Sequence, residues 1–152
     1  MRQTIAVALL ISLLSLVSIP GMSSGVGLTA GLDPTGLWLI GAVTELSITE
    51  IFDLRAQIGF AAQEIEGLML ASLSVLPHWP MPPIDPFAGV GVGVALTPPP
   101  FSTGLIVEGV AGMRLVPADI VSVILQARYL VRWTAGNWTA GPIYEGGILI
   151  NF

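Results

Sequence analysis

Beyond residue 24 the chain is strongly apolar, yet it has no uninterrupted apolar segment long enough to cross a membrane as a helix. Hydrophobic residues make up 53% of the sequence and charged residues only 10%, whereas soluble domains carry about 25% charged residues. A membrane-spanning helix needs about 20 consecutive apolar residues. Glycine and proline are frequent as well, with 18 and 12 residues, which favours short strands and tight turns. The sequence therefore predicts strands that face lipid.

The final segment has the alternation that such strands require. One face is apolar, the opposite face is small or polar, and the segment ends in an aromatic residue, which is typical of a transmembrane barrel. The apolar face holds Tyr144, Gly146, Ile148, Ile150 and Phe152, and the opposite face holds Glu145, Gly147, Leu149 and Asn151.

Residues 25–152 divide into eight segments of this kind. They provide about 16 residues for each strand and its turn, which matches spans of about 9–11 residues with short connections. We therefore predict an all-β fold, an eight-stranded antiparallel up-and-down transmembrane β-barrel. The predicted strands are Gly25–Leu32, Leu37–Leu46, Phe52–Ala62, Gly67–Leu76, Phe87–Leu96, Gly104–Leu115, Ile120–Trp133 and Thr139–Phe152.

Charged residues fall on one face of the predicted strands. Arg55 alternates with Leu54 and Ala56, and Arg128 and Arg132 lie opposite an unbroken apolar face. This polar face is sparse and rich in glycine, as the interior of a narrow barrel requires. We expect a polar network inside the barrel, formed by Glu45, Arg55, Glu108, Arg114, Arg128, Arg132 and Glu145.

The positions of the predicted turns place opposite charges across from each other. Hairpins centred near residues 50, 118 and 136–137 bring charged positions onto neighbouring strands at the same height. In a water-poor interior these charges must satisfy one another, so loss of one partner is costly. The expected pairs are Glu45 with Arg55, Glu108 with Arg128, Arg114 with Ser122, and Arg128 with Glu145.

The first 24 residues read as a secretory signal peptide. Arg2 supplies the positive end, residues 5–19 form an apolar core, and residues 20–24 offer a small-residue cleavage zone. An uncleaved anchor helix is the alternative. We therefore expect a signal peptide at 1–24, a barrel at 25–152, and export to a bacterial outer membrane.

Charge and composition narrow the range of ligands. The net charge of −5 and the absence of lysine argue against nucleic acid as a partner. Without cysteine there are no disulfides and no thiolate metal ligands, and the carboxylates are scattered rather than clustered. We expect no cofactor and no metal.

Three stretches resemble parts of known membrane barrels. Residues 86–94, Pro-Phe-Ala-Gly-Val-Gly-Val-Gly-Val, are similar to the PYxGxGxG strand of such proteins. Residues 48–56 are similar to their periplasmic turn entering a strand, and Tyr144, Ile148, Ile150 and Phe152 are similar to the C-terminal signal read by the barrel-assembly machinery. On these residues the chain resembles the small barrels of the OmpA/OmpX-like family. The resemblance implies the lipid bilayer and lipopolysaccharide as partners, with the assembly machinery and periplasmic chaperones during biogenesis.

The function we expect is that of an integral outer-membrane barrel of structural or interaction type, with a lumen filled by polar side chains. A narrow pore through the charged interior is the alternative, followed by a lipid-modifying outer-membrane enzyme. A helical inner-membrane protein is a different class, which charged residues in every candidate helix disfavour.

Two local features invite a catalytic or nucleotide-binding interpretation. His78 is the only histidine, so a Ser-His-acid arrangement would have to use it. We expect instead an interfacial residue in the proline-rich connection 77–86. Gly89, Gly91 and Gly93 lack the spacing of a phosphate-binding loop, and we expect them to make room for bulky side chains in the lumen. The sequence therefore predicts no enzymatic activity.

Overall fold

The regular structure of this chain consists of β-strands. The computed structural model describes residues 24–61, 68–97, 102–134 and 136–152, and these four ranges contain no helix of the length and hydropathy needed to cross a membrane. The predicted signal peptide lies outside the described residues except for Ser24. The strands are β1 (Ser24–Leu32), β2 (Trp38–Thr49), β3 (Phe52–Ala61), β4 (Met69–Pro77), β5 (Ile84–Thr97), β6 (Ser102–Ala118), β7 (Val121–Thr134) and β8 (Asn137–Asn151).

The eight strands form a closed up-and-down barrel. Each strand pairs antiparallel with the next one in sequence, and β1 also pairs with β8. At this closing seam Gly25 lies opposite Asn151 and Leu32 lies opposite Tyr144. The predicted all-β, eight-stranded antiparallel fold is confirmed, including closure of the last strand on the first. Closure pairs every strand on both sides, so no sheet edge is left open.

The barrel has two ends that differ in their connections. The turns at 50–51, 78–83 and 119–120 lie at the end where β1 begins and β8 ends, and we call this end the terminal rim. The turn at 33–37, between β1 and β2, lies at the opposite end, which we call the distal rim.

Burial alternates along the strands with the period of two that a pleated sheet imposes. In β3, Asp53, Arg55 and Gln57 are buried, whereas Phe60 is exposed. Large apolar side chains cover the outside of the barrel in every strand. Examples that are more than half exposed are Leu28, Ile40, Val90, Val107 and Ile148.

Three strands continue three residues further toward the terminal rim than the sequence predicted, and β2 does so by ending at Thr49 rather than Leu46. β5 begins at Ile84 rather than Phe87, because Met81 and Ile84 exchange backbone hydrogen bonds of 3.0 and 2.9 Å and extend the hairpin. β6 runs on to Ala118 through the predicted turn at 116–119. There the N–H of Val116 donates to a backbone carbonyl of the 78–83 turn, at 2.9 Å.

The strand register agrees with the prediction in one hairpin and differs in two. Glu45 lies opposite Arg55, as predicted. A bulge between Leu115 and Ala118 lengthens the β6–β7 hairpin. In the β7–β8 hairpin Thr134 lies opposite Asn137, so the hairpin is centred between these two residues rather than at 136–137. Both shifts are two residues, so every side chain stays on its predicted face. The observed opposite pairs are Glu108 with Leu130, Arg114 with Ile124, Arg128 with Ile143, and Gln126 with Glu145.

The Asp33 carboxylate organises the turn at the distal rim. Its Oδ1 accepts hydrogen bonds from the Thr35 N–H at 2.8 Å, the Thr35 hydroxyl at 2.7 Å and the Leu37 N–H at 2.9 Å. Gly36 supplies the left-handed backbone of the turn, with a φ of 88°. Burial raises the pKa of Asp33, but the hydrogen bonds outweigh it and hold the pKa below its usual value. The carboxylate therefore remains charged.

Candidate functional site

The polar interior is the part of the barrel that can carry specific chemistry. The structure places five of the seven predicted network residues in the interior as buried side chains and a sixth, Arg114, as a half-buried one. Arg132 faces the same way but lies near the distal rim, where its Nε donates to the Thr139 hydroxyl at 3.2 Å. The five buried residues are Glu45, Arg55, Glu108, Arg128 and Glu145.

Arg128 joins two buried carboxylates at mid-height. Its Nε donates to Glu108 Oε2 at 3.0 Å, its Nη1 to Glu145 Oε1 at 3.0 Å and its Nη2 to the Ser72 hydroxyl at 3.1 Å. Glu108 and Glu145 lie two residues away from direct opposition to Arg128, and the long guanidinium side chain spans the diagonal. Both charge pairs expected for Arg128 therefore form, in spite of the shifted register.

Neutral side chains complete the hydrogen bonding of these carboxylates. Ser74 donates to Glu108, Gln57 donates to Glu145 at 2.9 Å, and Gln126 donates to the same Glu145 oxygen. A buried carboxylate that accepts several hydrogen bonds keeps its charge at a lower cost than one without them. We call this group the Arg128 cluster, which comprises Ser72, Ser74, Gln57, Glu108, Gln126, Arg128 and Glu145.

A second group surrounds Arg114 nearer the terminal rim. The Arg114 Nη2 lies 2.8 Å from Glu45 Oε2 and 2.6 Å from Asp53 Oδ2, and its Nη1 lies 3.1 Å from Asp85 Oδ2. Arg55 donates to the other oxygen of Glu45, from Nε at 2.7 Å. We call this group, with the nearby His78, the Arg114 cluster.

Arg55 connects the two clusters. Its Nη1 donates to the Gln126 amide oxygen, and its guanidinium carbon lies 4.5 Å from the centre of the Phe87 ring. An arginine over an aromatic face gains a cation–π interaction in addition to its ion pair. The interior charges therefore form one continuous network from the terminal rim to mid-height.

The interpretation of His78 as an interfacial residue was wrong. Its side chain is buried at the end of the 78–83 turn, with Nδ1 2.9 Å from Asp85 Oδ1 and Nε2 3.6 Å from Asp53 Oδ1. The cause is the hairpin extension, because His78 pairs with Phe87 as an isolated bridge and thereby points inward. The imidazole thus faces two carboxylates, which is not the serine–histidine contact of a hydrolase.

Sequence reasoning missed Asp53, Asp85 and His78 as interior residues. Asp53 is the second residue of the predicted strand Phe52–Ala62 and lies two residues before Arg55, so it shares the inward face of Arg55, which is the signal that could have identified it. Asp85 and His78 fall in the stretch that was predicted as a proline-rich connection. In the described part of the chain no group of three or more His, Asp or Glu is arranged to hold a metal ion.

The expected role of the alternating glycines is correct at one position and incomplete at two. A Cβ at Gly91 would lie 2.3 Å from the Ser74 hydroxyl and 2.8 Å from Glu108 Oε1, so this glycine makes room for interior side chains. At Gly89 and Gly93 the nearest atoms are backbone oxygens of β4, at 2.0 and 2.2 Å. These two glycines therefore allow the backbone of β4 to pack closely against β5.

Apolar side chains fill the interior on either side of the Arg128 cluster. One layer reaches toward the distal rim and borders an apolar cavity of about 380 Å³. A second layer lies toward the terminal rim and contains Val43, Leu76 and Phe87, whose ring the Arg55 guanidinium faces. The first layer consists of Leu39, Leu70, Ala95, Ile106, Leu130 and Ile143.

The four residues predicted as an assembly signal lie on the outside of β8. Tyr144, Ile148, Ile150 and Phe152 are all exposed on the outer surface. Ile148 and Ile150 pair with Leu28 and Val26 across the seam where the barrel closes.

The fold matches several solved membrane barrels. The N-terminal β-barrel domain of Pseudomonas aeruginosa OprF aligns with a TM-score of 0.70 and 13% identity, covering 86% of this chain and 97% of that one. Neisserial surface protein A aligns with a TM-score of 0.66 and 11% identity, covering 86% and 96%. The outer membrane enzyme PagL aligns with a TM-score of 0.56 and 15% identity, covering 84% and 98%.

These likenesses, at 11 to 15% identity, establish the fold and nothing finer. No protein-family model matches the sequence, and no curated protein matches it. The chain therefore has the fold of the small eight-stranded barrels to which its sequence was compared above.

Proposed function

We propose that this chain is an integral outer-membrane barrel of structural or interaction type, whose interior is a filled polar core. The observation that carries the proposal is the contrast between its two faces. The interior charges bind one another, whereas large apolar side chains are exposed on the outside of every strand. In water so much contiguous apolar surface would drive association, but in a bilayer it is solvated by lipid.

The barrel would lie with its terminal rim toward the periplasm and its distal rim toward the exterior. The bilayer and lipopolysaccharide are the partners that contact such a surface, and the described connections are short. The barrel-assembly machinery and periplasmic chaperones would act during biogenesis, after export through a cleaved signal peptide. Tyr144, Ile148, Ile150 and Phe152 would serve as the assembly signal, since they form an accessible apolar stripe beside the closing seam.

Cell fractionation tests this proposal. In a Gram-negative host we expect the full-length chain in the outer-membrane fraction, with a gel mobility that changes on heating because the closed barrel resists detergent. Phe152→Ser should lower the amount of folded, heat-modifiable protein several-fold, since it removes an exposed aromatic from the proposed signal. Tyr129→Ser is the matched control, because Tyr129 is an outward aromatic of β7 away from the seam. A chain recovered in the inner membrane would contradict the proposal.

A narrow, cation-preferring channel is the second candidate. The observation in its favour is an excess of interior acids, because five buried carboxylates face three guanidiniums, those of Arg55, Arg114 and Arg128, and the His78 imidazole. The carboxylates are those of Glu45, Asp53, Asp85, Glu108 and Glu145. Against it, an eight-stranded barrel has an interior that side chains fill.

Planar-bilayer recording separates the two candidates. We expect no conductance steps from the purified wild-type barrel, because the Arg128 cluster and the apolar layer toward the terminal rim close the path. An Arg132→Ala barrel, altered only near the distal rim, is the control and should be equally silent. Steps in the wild type whose size changes in Arg128→Ala would instead establish conduction through the network.

The proposal assigns no enzymatic step to this chain. The His78 imidazole faces Asp85 and Asp53 at the terminal rim, whereas a general base would lie within hydrogen-bond reach of a nucleophile. Unchanged lipid composition in cells that overproduce the protein is the expected result.

A further inference from the structure

The distal end of the barrel interior contains a cavity of about 380 Å³, which is within the range of about 300–1,000 Å³ typical of small-molecule sites. Its wall is aliphatic, with Leu39, Leu70, Ile106, Leu130 and Ile143 as the buried residues that line it. No aromatic side chain of the described residues lines it. A flexible aliphatic group fits such a wall better than a planar ring does.

The polar network lies next to this cavity along the barrel axis, on its terminal-rim side. In β6 the next inward residue after Ile106 toward the terminal rim is Glu108. In β8 the next inward residue after Ile143 is Glu145. Leu130 stands in the same relation to Arg128. We call this cavity the cup; the ion-paired side chains lie between it and the terminal rim.

One cationic group lies in the wall of the cup near the distal rim. Arg132 lines the cavity and uses its Nε on Thr139, and no carboxylate of the described residues lies within 4.0 Å ion-pair distance of it. Asp33 lines the cavity as well, but its Oδ1 accepts three hydrogen bonds from its own turn. The guanidinium is thus the group with donors left for a ligand.

We propose that this cup binds an amphipathic anion with an unbranched acyl tail, the tail lying among Leu130, Ile143 and their aliphatic neighbours and the head group contacting Arg132. This site goes beyond the structural role proposed above and depends only on the barrel interior. Burial of the tail would supply hydrophobic free energy, and the guanidinium would select a carboxylate or phosphate head through charge-assisted hydrogen bonds.

Methyl NMR of the full barrel in nanodiscs of deuterated lipid tests the proposal, with protonated decanoate as the probe. Decanoate also enters the bilayer, so the readout is its position. We expect saturable nuclear Overhauser effects from decanoate to the inward methyls of Ile106, Leu130 and Ile143. The outward methyls of Leu105 and Ile148 report the bilayer background. Effects confined to the outward methyls would overturn the proposal, and so would contacts of the inward methyls to another part of the chain in place of decanoate.

Variants separate the roles of cup and head group. Gly141 lines the cup, and a Cβ added there meets nothing within 4 Å, so Gly141→Leu should fill the cup and abolish the inward effects. Gly109→Leu is the matched control, because Gly109 is an exposed glycine whose added Cβ also meets nothing within 4 Å. Loss of binding in both variants would contradict an interior site.

The role of the head group is tested by substituting Arg132 and by comparing ligands whose head groups differ in charge. Arg132→Gln should weaken decanoate binding about tenfold and leave decanol binding unchanged, since only the anion uses the guanidinium. Arg132→Lys should keep most of the affinity. Equal losses for decanoate and decanol, or tighter binding of decyltrimethylammonium than of decanoate, would overturn the assignment of an anionic ligand.

Discussion

Replacement of Arg128 by methionine should lower the free energy of unfolding by about 3–5 kcal/mol, the range measured when one partner of a buried ion pair is removed. Arg128 is 2% exposed and contacts both Glu108 and Glu145. Methionine keeps much of the side-chain volume, so the loss would reflect the two carboxylates left without a cation rather than a cavity. Equilibrium urea unfolding in lipid vesicles, followed by tryptophan fluorescence, measures the difference.

The chain provides its own control for this experiment. Arg132 is on the same strand and the same face, but it is half-buried and donates only to the Thr139 hydroxyl in the described structure. Arg132→Met should therefore change the unfolding free energy by no more than about 0.5 kcal/mol, as surface substitutions do. Equal losses in the two variants would show that the ion pairs contribute nothing specific.

A compensated variant distinguishes charge from packing. Replacing Glu108 and Glu145 by glutamine together with Arg128→Met removes the whole buried charge group, and this should restore most of the lost stability. Replacement of complete buried ion pairs is often neutral. If the triple variant is as unstable as Arg128→Met alone, the arginine stabilises the barrel through its shape and its hydrogen bond to Ser72 instead.

The sequence was sufficient to predict which face each charge of the seven-residue network occupies, because the period of a strand is two. The sequence was not sufficient to predict the position of each charge along the barrel axis, because that position depends on the strand register. The bulge between Leu115 and Ala118 shifts one hairpin by two residues, and nothing in the local sequence marks it beyond a proline at 117. The arginine–glutamate contacts survive because a guanidinium reaches the diagonal neighbour.

The distal apolar layer could not be predicted for a different reason. Where both faces of a strand are apolar, as around Ile106 between Leu105 and Val107, alternation of polarity gives no sign of a special interior. Only the three-dimensional closure brings Ile106 together with Leu39 and Ile143. Likewise, Asp53, His78 and Asp85 meet only because the β4–β5 hairpin continues past its predicted ends, so that His78 and Asp85 point inward beside Asp53.

Gly27→Ala should prevent closure of the barrel or destabilise it by at least the upper part of the range of about 1–3 kcal/mol that overpacking costs. A Cβ at Gly27 would lie 2.0 Å from the backbone oxygen of Ile148 in β8. A backbone oxygen in a paired strand cannot move aside as a flexible side chain can, so the β1–β8 seam must open or shift. The substitution therefore acts on the step that turns a sheet of eight strands into a barrel.

The effect of Gly27→Ala is measured as the fraction of protein that refolds into a heat-modifiable form in lipid vesicles. Gly109→Ala is the matched control, because Gly109 is on the outer surface of β6 and an added Cβ meets nothing within 4 Å. It should refold like the wild type, or slightly better, since alanine restricts the unfolded chain more than glycine does. Normal refolding of Gly27→Ala would mean that β1 and β8 are further apart at Gly27 than the distance of 2.0 Å between an added Cβ and the Ile148 oxygen indicates. In that case the last strand would close the barrel through its outward apolar side chains more than through close backbone contact.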